Sequence, residues 1–361
     1  MTAFYHPLRD TMNGPLPLAV SMGDPAGIGL DIVLQAFSGQ AIAQTERITL
    51  PPCVLYADPG AVAARAAKLG SRLHIAEITA PADALTLRAG ELPLIPVHCA
   101  VAPIPGCPDP RNAAAVIQAI EMAAADVAHG RAAAIVTLPI AKATLTAAGF
   151  PHPGHTEFLA ELAGRHFLGR KWTSVMMLAS DELRVVPLTV HVALARVASL
   201  LTVELICATA RITATDLANR FGIARPRLWF CGLNPHAGES GTLGREEIEI
   251  IAPAIRLLQA EGLDVQGPFS ADTMFHAAAR PRYDAVIAMY HDQALIPLKT
   301  LAFDSGVNVT LGLPFVRTSP DHGTAFDIAG TGKANASSFI AALRLAAQIS
   351  AAPAPAGARH A

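Results

Sequence analysis

Short apolar runs alternate along this chain with longer segments that carry apolar residues at helical spacing. "LPLAVSM" reads as a strand and "GIGLDIVLQAF" after it as a helix. "PCVLYAD" then precedes the Ala-rich helix "PGAVAARAAKLG". "NAAAVIQAIEMAAADVAHG" predicts a long helix ending at Gly130, with the strand "AAAIVTL" behind it. "TEFLAELAG" leads into the strands "SVMMLAS" and "LRVVPLTV". "VELICATARITATDLANRFG" precedes "RLWFCG", and "REEIEIIAPAIRLLQAEG" is a helix with "YDAVIAMY" beyond it. Strands that alternate with helices predict an α/β protein with a largely parallel sheet. With no internal repeat or low-complexity linker, any two-part division must come from strands arranged around a cleft.

Length and composition narrow this further. At 361 residues the chain is too long for one simple core. Apolar residues make up 52% and charged ones 16%, as in a well-buried globular protein. A formal net charge of −2 gives no reason to expect a nucleic acid or an anionic membrane as partner. Mean hydropathy is positive. Yet "LPLIPVHCAVAPIPGCP", the longest uncharged stretch, has five prolines in 17 residues, so no transmembrane helix is expected. No signal-peptide core precedes Asp24. Five cysteines without a CxxC pair read as reduced thiols, which places the protein in the cytoplasm. Residues 1–15 and the Ala/Pro-rich 351–361 read as loose termini.

In open α/β sheets, ligands bind beyond the carboxyl ends of strands. Three strand-like runs here each deliver one imidazole there. "LRVVPLTVH" ends at His191, "RLWFCGLNPH" at His236, and "YDAVIAMYH" at His291. Three neutral imidazoles and an open position make a competent catalytic metal site. Singly, each is as well read as a capping or hydrogen-bonding residue, so the recurrence carries the argument. Asp292 and Gln293 follow His291, placed to orient ligands or substrate, although Asp292 also fits a helix cap. His155 and Thr156, with Glu157, open a helix in "HPGHTEFLAEL" and suit an anion site or an ordinary N-terminus. Lys299, Asn308 and Arg317 could hold a phosphate. "LNPHAGESGTLGREE" reads as a Gly-rich loop entering a helix. "GDPAGIG" is a tight strand-to-helix turn, with neither a dinucleotide fingerprint nor a P-loop.

Taken in order, "GDPAGIG", "PGHTEF", "LNPHAGE", "GPFSADT", "MYHDQALIPLK" and "VNVTLGLPFVRTSPDHGTAFDIAG" resemble the 4-hydroxythreonine-4-phosphate dehydrogenase family of vitamin B6 biosynthesis, from about residue 17 to about residue 345. The resemblance implies an isocitrate/isopropylmalate dehydrogenase-like α/β fold of two subdomains with a cleft between them. Residues 16–140 with 305–350 would form the cofactor side, and 141–304 the metal, substrate and dimerisation side. It implies NAD or NADP and one divalent metal per site (Zn, Mg or Co), held by His191, His236 and His291. Substrate contacts carried over are His155, Thr156, Lys299, Asn308 and Arg317. "DHGTAFDIAGTGKAN" is similar to an adenosine-binding segment, which assigns His322, Gly323, Thr324, Asp327 and Asn335 to the cofactor. A homodimer with a shared site is also implied, His291 coming from one chain and His191 with His236 from the other.

The implied chemistry is hydride transfer from C3 of the phosphorylated substrate beside a Lewis-acidic metal, followed by loss of CO₂ from a β-keto acid. Asp272, Asp292 and Lys299 are the candidate bases. Leu30 replaces a frequent Pro, and Leu138 in "TLPIAK" replaces a commoner Gly or Asn in a loop expected to border the substrate. Alternatives are a relative acting on 4-phospho-threonate or 4-phospho-erythronate, and a metal-dependent aldolase or hydrolase.

Overall fold

The computed structural model describes residues 15–38, 49–88, 90–152, 154–167 and 171–351. The termini read as loose, 1–14 and 352–361, lie outside the described residues. The described residues fold into two compact units, one within 15–174 and 313–351 and the other within 175–312. Residues 141–174, grouped above with the second subdomain, cluster with the first unit, and 305–312, grouped with the first, cluster with the second.

The first unit begins with β1 (Leu18–Ser21), α1 (Gly29–Ser38), β2 (Cys53–Ala57), α2 (Pro59–Lys68), β3 (His74–Glu77) and β4 (Glu91–Pro96). It continues with α3 (Ala113–Ala128), β5 (Ile135–Thr137), α4 (Lys142–Ala147) and α5 (His155–His166). The second unit holds β6 (Val175–Ala179), β7 (Arg184–Thr189), α6 (Val197–Leu200), α7 (Val203–Phe221), β8 (Arg227–Cys231) and α8 (Ala252–Ala260). It also holds β9 (Asp264–Phe269), β10 (Ala285–Tyr290), α9 (His291–Ala302) and β11 (Val307–Leu311). The chain then returns to the first unit with β12 (Arg317–Pro320) and α10 (Ser337–Ala351).

In the first unit the strand order is β3-β4-β2-β1-β5-β12, with every pairing parallel. Such strands are covered on both faces, so they read as unbroken apolar runs: β1 and β2 are buried at every residue. β1 has β2 on one side and β5 on the other, and "GDPAGIG" leaves its carboxyl end. Leu30 is 1% exposed in the first turn of α1, where apolar packing replaces the expected Pro. Leu138 is fully buried against the Gly23 turn, so this departure serves the core.

In the second unit the order is β11-β6-β7-β10-β8-β9. β6 pairs antiparallel with both β11 and β7, whereas β7-β10-β8-β9 are parallel neighbours. Three adjacent parallel strands, β7, β10 and β8, therefore end on the same edge. Their shared core includes Val185, Trp229, Val286, Ala288, Ala294 and Leu298. The single helix expected from "REEIEIIAPAIRLLQAEG" is instead a π turn, Glu247–Ile251, running into α8. Among the described residues, no single helix is long and apolar enough to cross a membrane.

Candidate active site

β10 passes into α9 with no intervening loop, so His291 opens the helix. His191 lies just past β7, the neighbour of β10, and the two imidazoles stand with ring centroids 5.7 Å apart and planes at 43°. They face a cavity of about 230 Å³, lined also by Thr189, Leu194, Val197 and Tyr290. Side chains tie the strand ends together. Thr189 Oγ1 donates to the Met289 carbonyl at 2.9 Å. Gln293 accepts from Met289 N at 2.7 Å and donates to the Gly232 carbonyl, just past β8, at 2.8 Å. His291 Nδ1 lies 2.7 Å from Asp292 Oδ1. A carboxylate there holds the proton on Nδ1 and leaves the Nε2 lone pair for a cation. Asp292 is engaged with the imidazole, and no side chain caps α9 at Tyr290.

His191 and His236 share a rarer feature. Among the described residues, six non-glycine residues have positive φ, and these two histidines are among them, at 50° and 52°. The left-handed region costs an L-residue roughly 1–2 kcal/mol, and such strain gathers at functional sites. His236 starts a run of five left-handed residues that ends at Ser240. Among the described residues, no three His, Cys, Asp or Glu side chains of one chain gather into a metal-holding group. The donor chemistry still suits a divalent ion: two imidazoles side by side, one with its lone pair oriented, and a third in the turn that follows the next parallel strand. Of the candidate bases, Asp272 is exposed and accepts from Ser270 Oγ at 2.5 Å. Lys299 lies on α9 with Nζ 5.3 Å from the Phe303 ring centre, and Asn308 lies on β11.

Positive charge gathers at the start of α5 in the first unit. Arg317 is 4% exposed, and its Nε and Nη2 donate to Thr137 Oγ1 at 3.1 and 2.6 Å. Burial pushes its guanidinium down to about 10. His155 is the first residue of α5, and its Nε2 is buried without a hydrogen-bond partner. Burial first, then Arg317 and Lys142, hold its pKa well below the usual histidine value. A neutral imidazole, an exposed lysine and a buried arginine at a helix N-terminus suit an oxyanion. Lys142 and Thr137 were missed in the sequence. The only signal was that they flank "LPIA" in the loop expected to border the substrate.

The segment 321–335 is anchored to α1 and leaves part of itself open. Thr324 O accepts from Ile28 N at 2.9 Å. The fully buried Asp31 carboxylate accepts from Gly330 N at 2.7 Å and pairs with Arg65. Arg65 also donates to the Gly27 and Pro25 carbonyls at 2.9 and 3.0 Å. "GDPAGIG" is thus tied to the segment carrying His322, Gly323, Thr324 and Asp327. A Cβ on Gly323 would meet nothing within 4 Å, and Asp327 is exposed. Asn335 is partly committed, because its Oδ1 accepts from Ser337 N at 2.9 Å at the start of α10.

The family model for the pyridoxal phosphate biosynthetic protein PdxA matches residues 49–346. A 4-hydroxythreonine-4-phosphate dehydrogenase of Xanthobacter autotrophicus is 54% identical over 350 residues, covering 97% of this chain and 98% of its own. The crystal structure of the enzyme of that name from Klebsiella pneumoniae superposes with a TM-score of 0.82 at 37% identity, over 93% of this chain and 99% of that one. A terephthalate 1,2-cis-dihydrodiol dehydrogenase from Burkholderia xenovorans is more distant, with a TM-score of 0.59 at 28% identity, over 93% of this chain and 98% of that one.

Proposed function

The chain belongs to the PdxA family, oxidoreductases of pyridoxal phosphate biosynthesis, and from that membership we propose that it oxidises 4-hydroxy-L-threonine 4-phosphate with NAD or NADP. The product is 2-amino-3-oxo-4-phosphooxybutanoate, a β-keto acid that loses CO₂ to give 3-amino-2-oxopropyl phosphate. The family implies a nicotinamide cofactor and a divalent metal. One observation carries the residue assignment: His191 and His236 hold left-handed backbone at the ends of strands that flank β10, which delivers His291.

His191, His236 and His291 would hold a divalent ion such as Zn, Co or Mg. When bound, that ion supplies a Lewis acid beside the substrate hydroxyl, and the nicotinamide accepts the hydride. Asp292 orients the His291 ring. One of Asp272, Asp292 and Lys299 takes the hydroxyl proton. Arg317, His155 and Thr156 receive the phosphate, with Lys299 and Asn308 as further substrate contacts. The phosphate lies away from the reacting carbon, so its binding energy goes into positioning. His322, Gly323, Thr324, Asp327 and Asn335 take the adenosine half of the cofactor.

The metal site is completed across a two-fold homodimer. One observation supports this: apolar side chains stand exposed on the segments that follow the three strands. They are Val192 and Leu194 after His191, Leu243 and Ile248 after His236, and Ile296 and Phe303 after His291. All five cysteines are free thiols, which supports a cytoplasmic location. A substrate panel tests the reading: 4-hydroxythreonine 4-phosphate should turn over faster than 4-phospho-threonate, 4-phospho-erythronate or a cis-dihydrodiol. Preference for any of the other three contradicts it.

A further inference from the structure

We propose that Glu247 and Asn234 are positioning residues that clamp the left-handed turn aiming His236; the inference rests on His236 being a metal ligand. From His236 to Ser240, five consecutive residues have φ between 42° and 78°, and Gly238 is the only glycine among them. L-residues visit this region singly, not in runs. The turn is closed by Ala237 N to Asn234 O at 3.1 Å, Leu243 N to Gly238 O at 3.1 Å and Thr242 N to Glu239 O at 3.2 Å. A run of left-handed residues, most of them not glycine, also needs support from side chains around it.

Glu247 is placed to supply that support. Its side chain is buried at 3% exposure, at the first residue of the π turn. Oε1 accepts from Asn234 N at 2.7 Å, and Oε2 from Asn234 Nδ2 at 3.0 Å. The same Nδ2 donates to Glu246 Oε2 at 2.7 Å. The carboxylate thus holds the residue that enters the turn. It also packs on the middle of the turn, since a Cβ on Gly238 would lie 2.6 Å from Oε2. A buried carboxylate is costly, and a loop that only needed filling would be served by an apolar side chain. Here the carboxylate spans the turn from entry to centre, which fixes where the His236 ring points. π turns also recur at functional sites, where they re-aim side chains.

The test measures Co²⁺ binding to the metal-free dimer by visible absorption, beside thermal melting of the same samples. Glu247→Gln puts an amide where Asn234 Nδ2 needs an acceptor, and it should weaken Co²⁺ binding about 10- to 100-fold. Asn234→Ala removes the side-chain strut, keeps the backbone bond to Glu247 and should weaken binding severalfold. It decides the matter if Glu247→Gln does not fold. Adding Glu247→Gln to His236→Ala should cost no further affinity, because both act through one imidazole. A loss of stability without a loss of Co²⁺ affinity would make Glu247 merely structural and overturn the proposal. His236→Ala weakened while Glu247→Gln and Asn234→Ala bind Co²⁺ like the wild type would overturn this inference alone. His236→Ala binding Co²⁺ like the wild type would overturn the ligand assignment and this inference with it.

Discussion

His191 and His291 lie just past the ends of neighbouring parallel strands of one protomer, with their ring centroids 5.7 Å apart. Two imidazoles this close repel if both are charged and cooperate if a cation sits between their lone pairs. His236, beyond β8 on the other side of β10, completes the set in sequence but, among the described residues, joins no three-ligand group within one chain. The division of ligands between protomers is therefore open to direct experiment.

Subunit exchange between His191→Ala and His291→Ala reads that division. If the two ligands serve different protomers' sites, a mixed dimer has one intact site and one doubly broken one. Random mixing makes about half the dimers mixed, so in that case about a quarter of wild-type activity returns. The side-by-side rings at one cavity of a single protomer favour the opposite division to the one expected from sequence, with hybrid dimers that form and restore nothing. Hybrid dimers that form without restoring activity would assign both histidines to one protomer's site.

Arg317→Ala should weaken binding of the phosphorylated substrate by about 2–4 kcal/mol, the loss expected when a buried charged partner leaves an anion. The dephosphorylated substrate should lose far less. Equal effects on the two would move the phosphate away from Arg317.

A bulky side chain at Gly323 has room beside its own backbone, so it should fold normally. Gly323→Phe is expected to raise the cofactor KM far more than the substrate KM. The opposite pattern would place the adenosine elsewhere.

His155 carries a pH dependence. Burial, then Arg317 and Lys142, hold it neutral in the fold. The unfolded chain protonates it near about 6.5. Below that pH the unfolded state binds a proton that the fold refuses. Its contribution is therefore complete above about pH 6.5 and is lost as pH falls toward the depressed folded value. Melting of the ligand-free protein should drop between about pH 7 and about pH 5.5, and His155→Asn should flatten that drop. Parallel curves for the two proteins would remove His155 from the account.

Much of this architecture could be read from the chain because a parallel strand covered on both faces is written as a short apolar run. β1, β2, β7, β8 and β10 were legible for that reason, and so were the histidines at three of their ends. β4 was hidden by Pro93 and Pro96, which argue against a strand yet are accommodated between β3 and β2. The π turn at Glu247–Ile251 keeps a helical pattern in sequence, so only the backbone reveals it. The left-handed turn was less legible still. "HAGES" has the composition of any Gly-rich loop, and its conformation depends on Glu247, which lies beyond the loop. Lys142 belongs with His155 and Arg317 only once the fold brings the Lys142 side chain to the start of α5.

The central claim is a metal-dependent hydride transfer from 4-hydroxythreonine 4-phosphate. Absorbance at the reduced-nicotinamide band, followed with NAD and with NADP before and after chelation, tests it most directly. The account predicts reduced nicotinamide only when the phosphorylated substrate and a divalent ion are both present. It also predicts a loss of roughly 10²-fold or more in rate for His236→Ala. Turnover of this substrate with no reduced nicotinamide, or an unchanged rate in the metal-free enzyme, would contradict it.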